Sequence, residues 1–250
     1  MIRRSTWQTL TAFVLAGAFP MAALAGDTGA IKGKIKLEGK AKRTVIQMTA
    51  DPNCVKANTK EDGTPKKVGS ENVIAKDGML QNVIVYVKEG LGDKKFEADA
   101  SKTFTIDQHG CMYTPHVFTM QTGQGIIVIN SDATLHNIHG LPQKNAEFNF
   151  GQPQQGMKSE PLVMKQAEIF KVKCDVHPWM SAYVGVFDHP FHAVTGADGL
   201  FELKDLPKGD YTIAAWHEEL GEQIQKVSVT GEPTDIEFTF KVEAAGGEGN

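Results

Sequence analysis

Past its first residues, no stretch of this chain keeps an apolar residue at a 3.6-residue period for more than two turns. Apolar and polar residues instead alternate in short runs cut by Gly, Pro, Asn and Asp. Such a chain has no helical stripe to bury, so its apolar side chains must be collected on sheet faces, and an all-β fold is expected. The alternation predicts strands over 30–37, 82–88, 102–107, 116–121, 125–130, 167–173, 182–188, 199–203, 209–216, 223–229 and 235–242. The pairs Thr122-Gly123, Asp198-Gly199 and Lys208-Gly209 supply turns between some of these runs. Residues 47–78, rich in Lys, Asp, Asn and Gly, read as loop.

The N-terminus has a different character. Arg3 and Arg4 precede the apolar run LTAFVLAGAF, and Ala23-Leu24-Ala25 closes it with a small-x-small pattern, so residues 1–25 read as a secretory signal peptide. The run is shorter than the roughly 20 residues a bilayer span needs, and stable membrane insertion is not expected. Ile2, Ser5, Thr6 and Trp7 around the arginine pair fit a twin-arginine signal poorly, which leaves the export route open. A periplasmic or otherwise exported destination follows. Removing the leader takes two arginines and no acid from a chain of net charge −4, and an acidic surface disfavours nucleic acid as a partner. The last residues, 243–250 (EAAGGEGN), offer little to pack and read as a flexible tail.

Three cysteines in an exported chain leave one over after any intramolecular pairing, and metal ligation is one way to occupy an odd thiol. The segment CDVHPWM places Cys174, His177 and Met180 three residues apart in turn. Thiolate, imidazole and thioether are soft to borderline donors that disfavour magnesium and calcium. Two His, one Cys and a weak axial Met make up the blue-copper set. The second imidazole is supplied by VINSDATLHNIHG, where a strand ends at Asn130 and a loop presents His136. Zinc competes for the same ligands. His139 is the alternative to His136, and His116 reads as a core or outer-shell residue close to the site. His109 flanks Cys111 outside the ligand loops, His189, His192 and His217 read as structural or surface residues, and Met112, Met120, Met157 and Met164 as packing residues.

Strand, Asn130, His136-Asn137 and a Cys-x-x-His-x-x-Met loop together resemble a cupredoxin, and the short 174–180 loop is most similar to that of amicyanin. The resemblance covers residues 97–190. It implies a Greek-key β-sandwich holding one type 1 copper through His136, Cys174, His177 and Met180. It also implies that the edge of the His177 imidazole faces an apolar docking patch beside Pro178 and Trp179, used in transient complexes with redox proteins. On that assignment Cys54 and Cys111 are left to pair with each other, whereas pairing Cys174 with either would destroy the site. Multicopper oxidases need His-x-His motifs, of which this chain has none, so a carrier of single electrons is expected rather than an enzyme.

Residues 191–242, through DGLFEL and LPKGDYTI, resemble the carboxypeptidase regulatory-like domain, a small transthyretin-like β-sandwich. GAIKGKIKLEGKAK and NVIVYV, within residues 26–96, are similar to that family's opening strands, which implies a discontinuous sandwich with the copper domain inserted. Carbohydrate binding attaches to such modules only by association, and a Trp216–His217 patch reads as core packing. Two rivals to electron transfer use the same residues: a copper-delivery protein, and an envelope binding module with a structural metal.

Overall fold

A computed structural model of the chain describes residues 28–242. The expected leader (1–25) and tail (243–250) lie outside the described residues. Among those described, eighteen strands and one short helix, Pro52–Ala57, form two packed β-sandwiches, so the all-β expectation holds.

The first sandwich stacks a five-stranded sheet on a four-stranded one. The order in the larger sheet is Phe148–Gln152, His136–Gly140, Glu168–Lys173, Ser181–Phe187 and Val117–Gln121. The smaller runs Leu162–Val163, Gly125–Asn130, Thr103–His109 and Met112–Thr114. Alternation supplies the core, as in Thr103–His109, where Ile106 and Gln108 turn inward and Thr103, Thr105 and His109 outward. Ile106, Met120, Val128, Ile138, Phe170, Val172 and Val184 meet between the sheets.

The second sandwich is assembled from segments on either side of the first in sequence. Thr28–Glu38 pairs antiparallel with Leu200–Pro207 on one edge and parallel with Thr234–Lys241 on the other. The facing sheet runs His192–Val194, Ile84–Glu89, Gly209–His217 and Gly221–Val229. Residues 191–242 therefore complete their sheets only with 28–38 and 75–89. Gly33 is needed at the crowded centre, since a Cβ there would stand 2.3 Å from the Ile236 carbonyl and 2.6 Å from the Phe201 ring.

Residues 44–70 are more ordered than their composition suggests. The segment crosses onto the first sandwich and contributes Met48 and Cys54 to its core, and Cys54 is bonded to Cys111. The sandwiches meet through Ile84, Val117 and Phe187, with Tyr86 against Phe187 at 4.7 Å and Tyr183 against Trp216 at 5.3 Å between ring centres. His116 is buried at this junction, its Nδ1–H donating to the Ser181 carbonyl at 2.9 Å and its Nε2 bonded to Glu218.

Candidate metal centre

His136 does not sit in a loop. It opens the strand His136–Gly140, whose edge pairs with Phe148–Gln152. The preceding turn is shaped by Asn130, whose amide donates to Thr134 O and Gln152 O (2.9 and 2.8 Å) and whose Oδ1 accepts from the Asp132 N–H (3.0 Å). Asn-centred bonding of this kind replaces the ladder bonds a tight turn gives up.

The 174–180 loop closes on its own backbone. Cys174 N–H donates to Met180 O (3.1 Å), Met180 N–H to His177 O (2.9 Å), and His177 N–H to Cys174 Sγ (3.4 Å). Asn137 ties the loop to the neighbouring strand: its Oδ1 accepts from the Asp175 N–H at 2.6 Å and stands 3.2 Å from Cys174 Sγ.

These elements bring His136, Cys174 and His177 together, with one donor atom from each lying within 4.8 Å of the others. All three are buried, at 0, 2 and 2% exposure. The Nδ1 atoms of His136 and His177 stand 3.0 Å apart, and Cys174 Sγ lies 3.8 Å from His177 Nδ1. Met180 is fully buried. Both outer nitrogens meet carboxylates: His136 Nε2 lies 2.9 Å from Asp132 Oδ2, and His177 Nε2 lies 3.0 Å from Asp51 Oδ2. A carboxylate accepts, so each Nε2 carries the proton and each Nδ1 is turned toward the sulfur.

The electrostatics match this arrangement. Burial works against charge on His136, but hydrogen bonds to Asp132 and Cys174 outweigh it and push its pKa up to about 9. Burial likewise opposes the Cys174 thiolate, yet bonds from His136 and nearby N–H groups bring it down to about 6. Asp132 is held below the usual carboxylate range despite its burial, by His136 and the Cys111 and Gly110 amides. A thiolate, two oriented imidazoles and no oxygen donor in the inner ring suit a soft to borderline ion such as copper or zinc.

The other expectations for this region fare differently. His139 bonds to Glu147 and Asp175 at 2.8 and 2.9 Å and stands apart from the cluster, as does His116. Trp216 packs on Tyr183, and His217 is buried. Pro178 is exposed, but Trp179 is half-buried, with its indole N–H donating to Cys111 O at 3.0 Å. The edge of His177 does not face a docking patch. Asp51 and the Cys54 sulfur, 3.6 Å from Nε2, cover it, because the 44–70 segment folds over the ligand loop.

Asp51 and Asp132 were missed in the sequence. Asp132 follows Asn130 in the turn leading to His136 and was open to suspicion. Asp51 lies 126 residues before His177, and nothing local marks it.

No family model and no curated protein matches the chain. Among solved structures, the chain is similar over 41% of its length to an amicyanin variant in the Cu(I) state, at 19% identity and TM-score 0.30, covering 97% of that chain. It is similar over 33% to a purple cupredoxin from Nitrosopumilus maritimus, at 21% identity and TM-score 0.28, covering 98% of that chain. Over 38% it is similar to a copper-containing nitrite reductase from Thermus scotoductus SA-01, at 16% identity and TM-score 0.32, spanning a quarter (25%) of that enzyme.

Proposed function

We propose that this chain is an exported copper protein that carries single electrons between redox partners. The observation that supports it is the buried cluster itself: one sulfur of lowered pKa and two imidazole Nδ1 atoms, oriented toward each other by hydrogen bonds that need no metal. Copper bound there would supply the one-electron chemistry, alternating between its cuprous and cupric states.

What the residues contribute is constancy. His136 stands on a paired strand, Cys174 and Met180 are joined through backbone bonds, and Asn137 holds the loop to its neighbour. Donors fixed in this way need not rearrange when the charge changes, and small rearrangement favours rapid transfer. His136, Cys174, His177 and Met180 are the ligands on this reading, with a single type 1 copper. The reading as a carrier rather than an enzyme rests on the sequence, which has no His-x-His pair to hold further copper. Export rests on the leader pattern of residues 1–25. No helix among the described residues is long and apolar enough to cross a membrane.

Cupric ion added to the metal-free protein should give an intense visible thiolate-to-copper absorption and a reversible one-electron couple, and Cys174→Ser should abolish the absorption. A colourless protein that retains zinc in preference would overturn the reading. Tight cuprous binding without a couple would point instead to delivery.

A further inference from the structure

The carboxylate on His177 belongs to a larger frame. Asp51 caps the helix Pro52–Ala57 by accepting from the Asn53 N–H at 2.7 Å, while its other oxygen accepts from Thr134 Oγ1 at 2.7 Å and from His177. Within that helix Cys54 is bonded to Cys111, and the Cys111 and Gly110 N–H groups donate to Asp132 at 2.7 and 2.8 Å. Asn58, at the helix end, donates to Gly110 O at 2.8 Å. One disulfide-linked assembly thus carries both carboxylates that grip the two imidazoles from outside. Only 16% of the Asp51 side chain is exposed, so little water competes for its bond to His177.

We propose, on the basis of the copper reading above, that Asp51 is a positioning residue. It commits His177 to the tautomer with the proton on Nε2 and the bare Nδ1 inward, and it seals the outer edge of the ring. A neutral imidazole with its N–H free can place the proton on either nitrogen. An acceptor that cannot donate, fixed 3.0 Å from Nε2, removes that choice. With the helix and the disulfide behind it, the ring has no space to swing out of the cluster. The carboxylate also adds negative charge close to the metal, which favours the cupric over the cuprous state.

The test begins with metal-free protein labelled with 15N at histidine, where two-bond proton–nitrogen correlations at neutral pH report which nitrogen is protonated. Wild type should show His177 protonated on Nε2 alone; Asp51→Ala should show a mixture, and so should Asp51→Asn, whose single carbonyl oxygen can cap the helix or face His177 but not both. After copper loading, both variants should have a higher reduction potential than wild type. Asp51→Ala should also bind cupric ion about ten- to a hundredfold more weakly. An unchanged tautomer in Asp51→Ala, or an unchanged potential in Asp51→Asn, would overturn the assignment. The two readings fail separately: if wild type takes no copper the functional reading falls, while the tautomer of the metal-free protein still judges Asp51.

Discussion

Cys174 and His136 have pKa values each displaced toward its own charged form, to about 6 and about 9, so between those values the metal-free site holds a thiolate beside an imidazolium. The proton on His136 occupies the position where a cation would bind. Across this window each metal ion should displace about one proton, and the apparent affinity should rise about tenfold per pH unit. Below about 6 the thiol contributes a second proton, and above about 9 the release fades because His136 is already neutral. Calorimetric titration with cupric or zinc ion in buffers of differing ionisation enthalpy measures the proton count directly. A count near zero at pH 7.5 would contradict the assigned charge states. At this scale the sequence was informative about chemistry: Cys174 and His177 share one loop, and His136 follows a recognisable Asn turn. It was silent on Asp51, whose role depends on a contact across about half of the chain.

The helix Pro52–Ala57 has six residues, too few to persist alone, and it holds its place by the bond from Cys54 to Cys111. These cysteines are 57 residues apart, so breaking the link releases a long loop in the unfolded chain. The double variant Cys54→Ser, Cys111→Ser should lose about 2 to 4 kcal/mol in urea denaturation of the metal-free protein. A loss well under 1 kcal/mol would show that packing alone retains the segment. Several strands escaped the sequence reading, for two reasons. His136–Gly140 buries His136, Asn137 and Ile138 in succession, and Met112–Thr114 and Leu162–Val163 are only three and two residues long. Alternation marks a strand with one wet face and one apolar face; it fails where a strand buries polar groups for a site or is too short to show a period.

At the scale of the whole molecule, the two sandwiches are joined by an apolar seam and by one buried histidine. Burial works against charge on His116, but Glu218 and Glu71 outweigh it and raise its pKa, while burial raises that of Glu71. His116 binds its proton more tightly folded than unfolded, so its contribution is complete below the ordinary histidine value of 6.5 and declines as pH rises through the raised one. His116→Gln should therefore cost about 2 kcal/mol in mildly acidic solution and progressively less toward alkaline pH, read from thermal melts of wild type and variant across the range. A cost that grows with pH would reverse the assignment. The covering segment also changes how the centre faces solvent: the His177 edge is closed, and a cleft of about 440 Å³ lies on the side of Cys174, Trp179 and Met180, bordered by His116 and Glu71.

The sequence by itself determined the sheet class and the donor types, because alternation and ligand-loop spacing are local properties that each segment carries with it. Only the tertiary structure decided that the strand from residue 28 lies beside the one ending at residue 241, and that Asp51 and a disulfide stand over His177. Contacts of that kind join residues far apart in the chain. They arise when loop closure is offset by packing against surfaces that exist only after the sheets have formed.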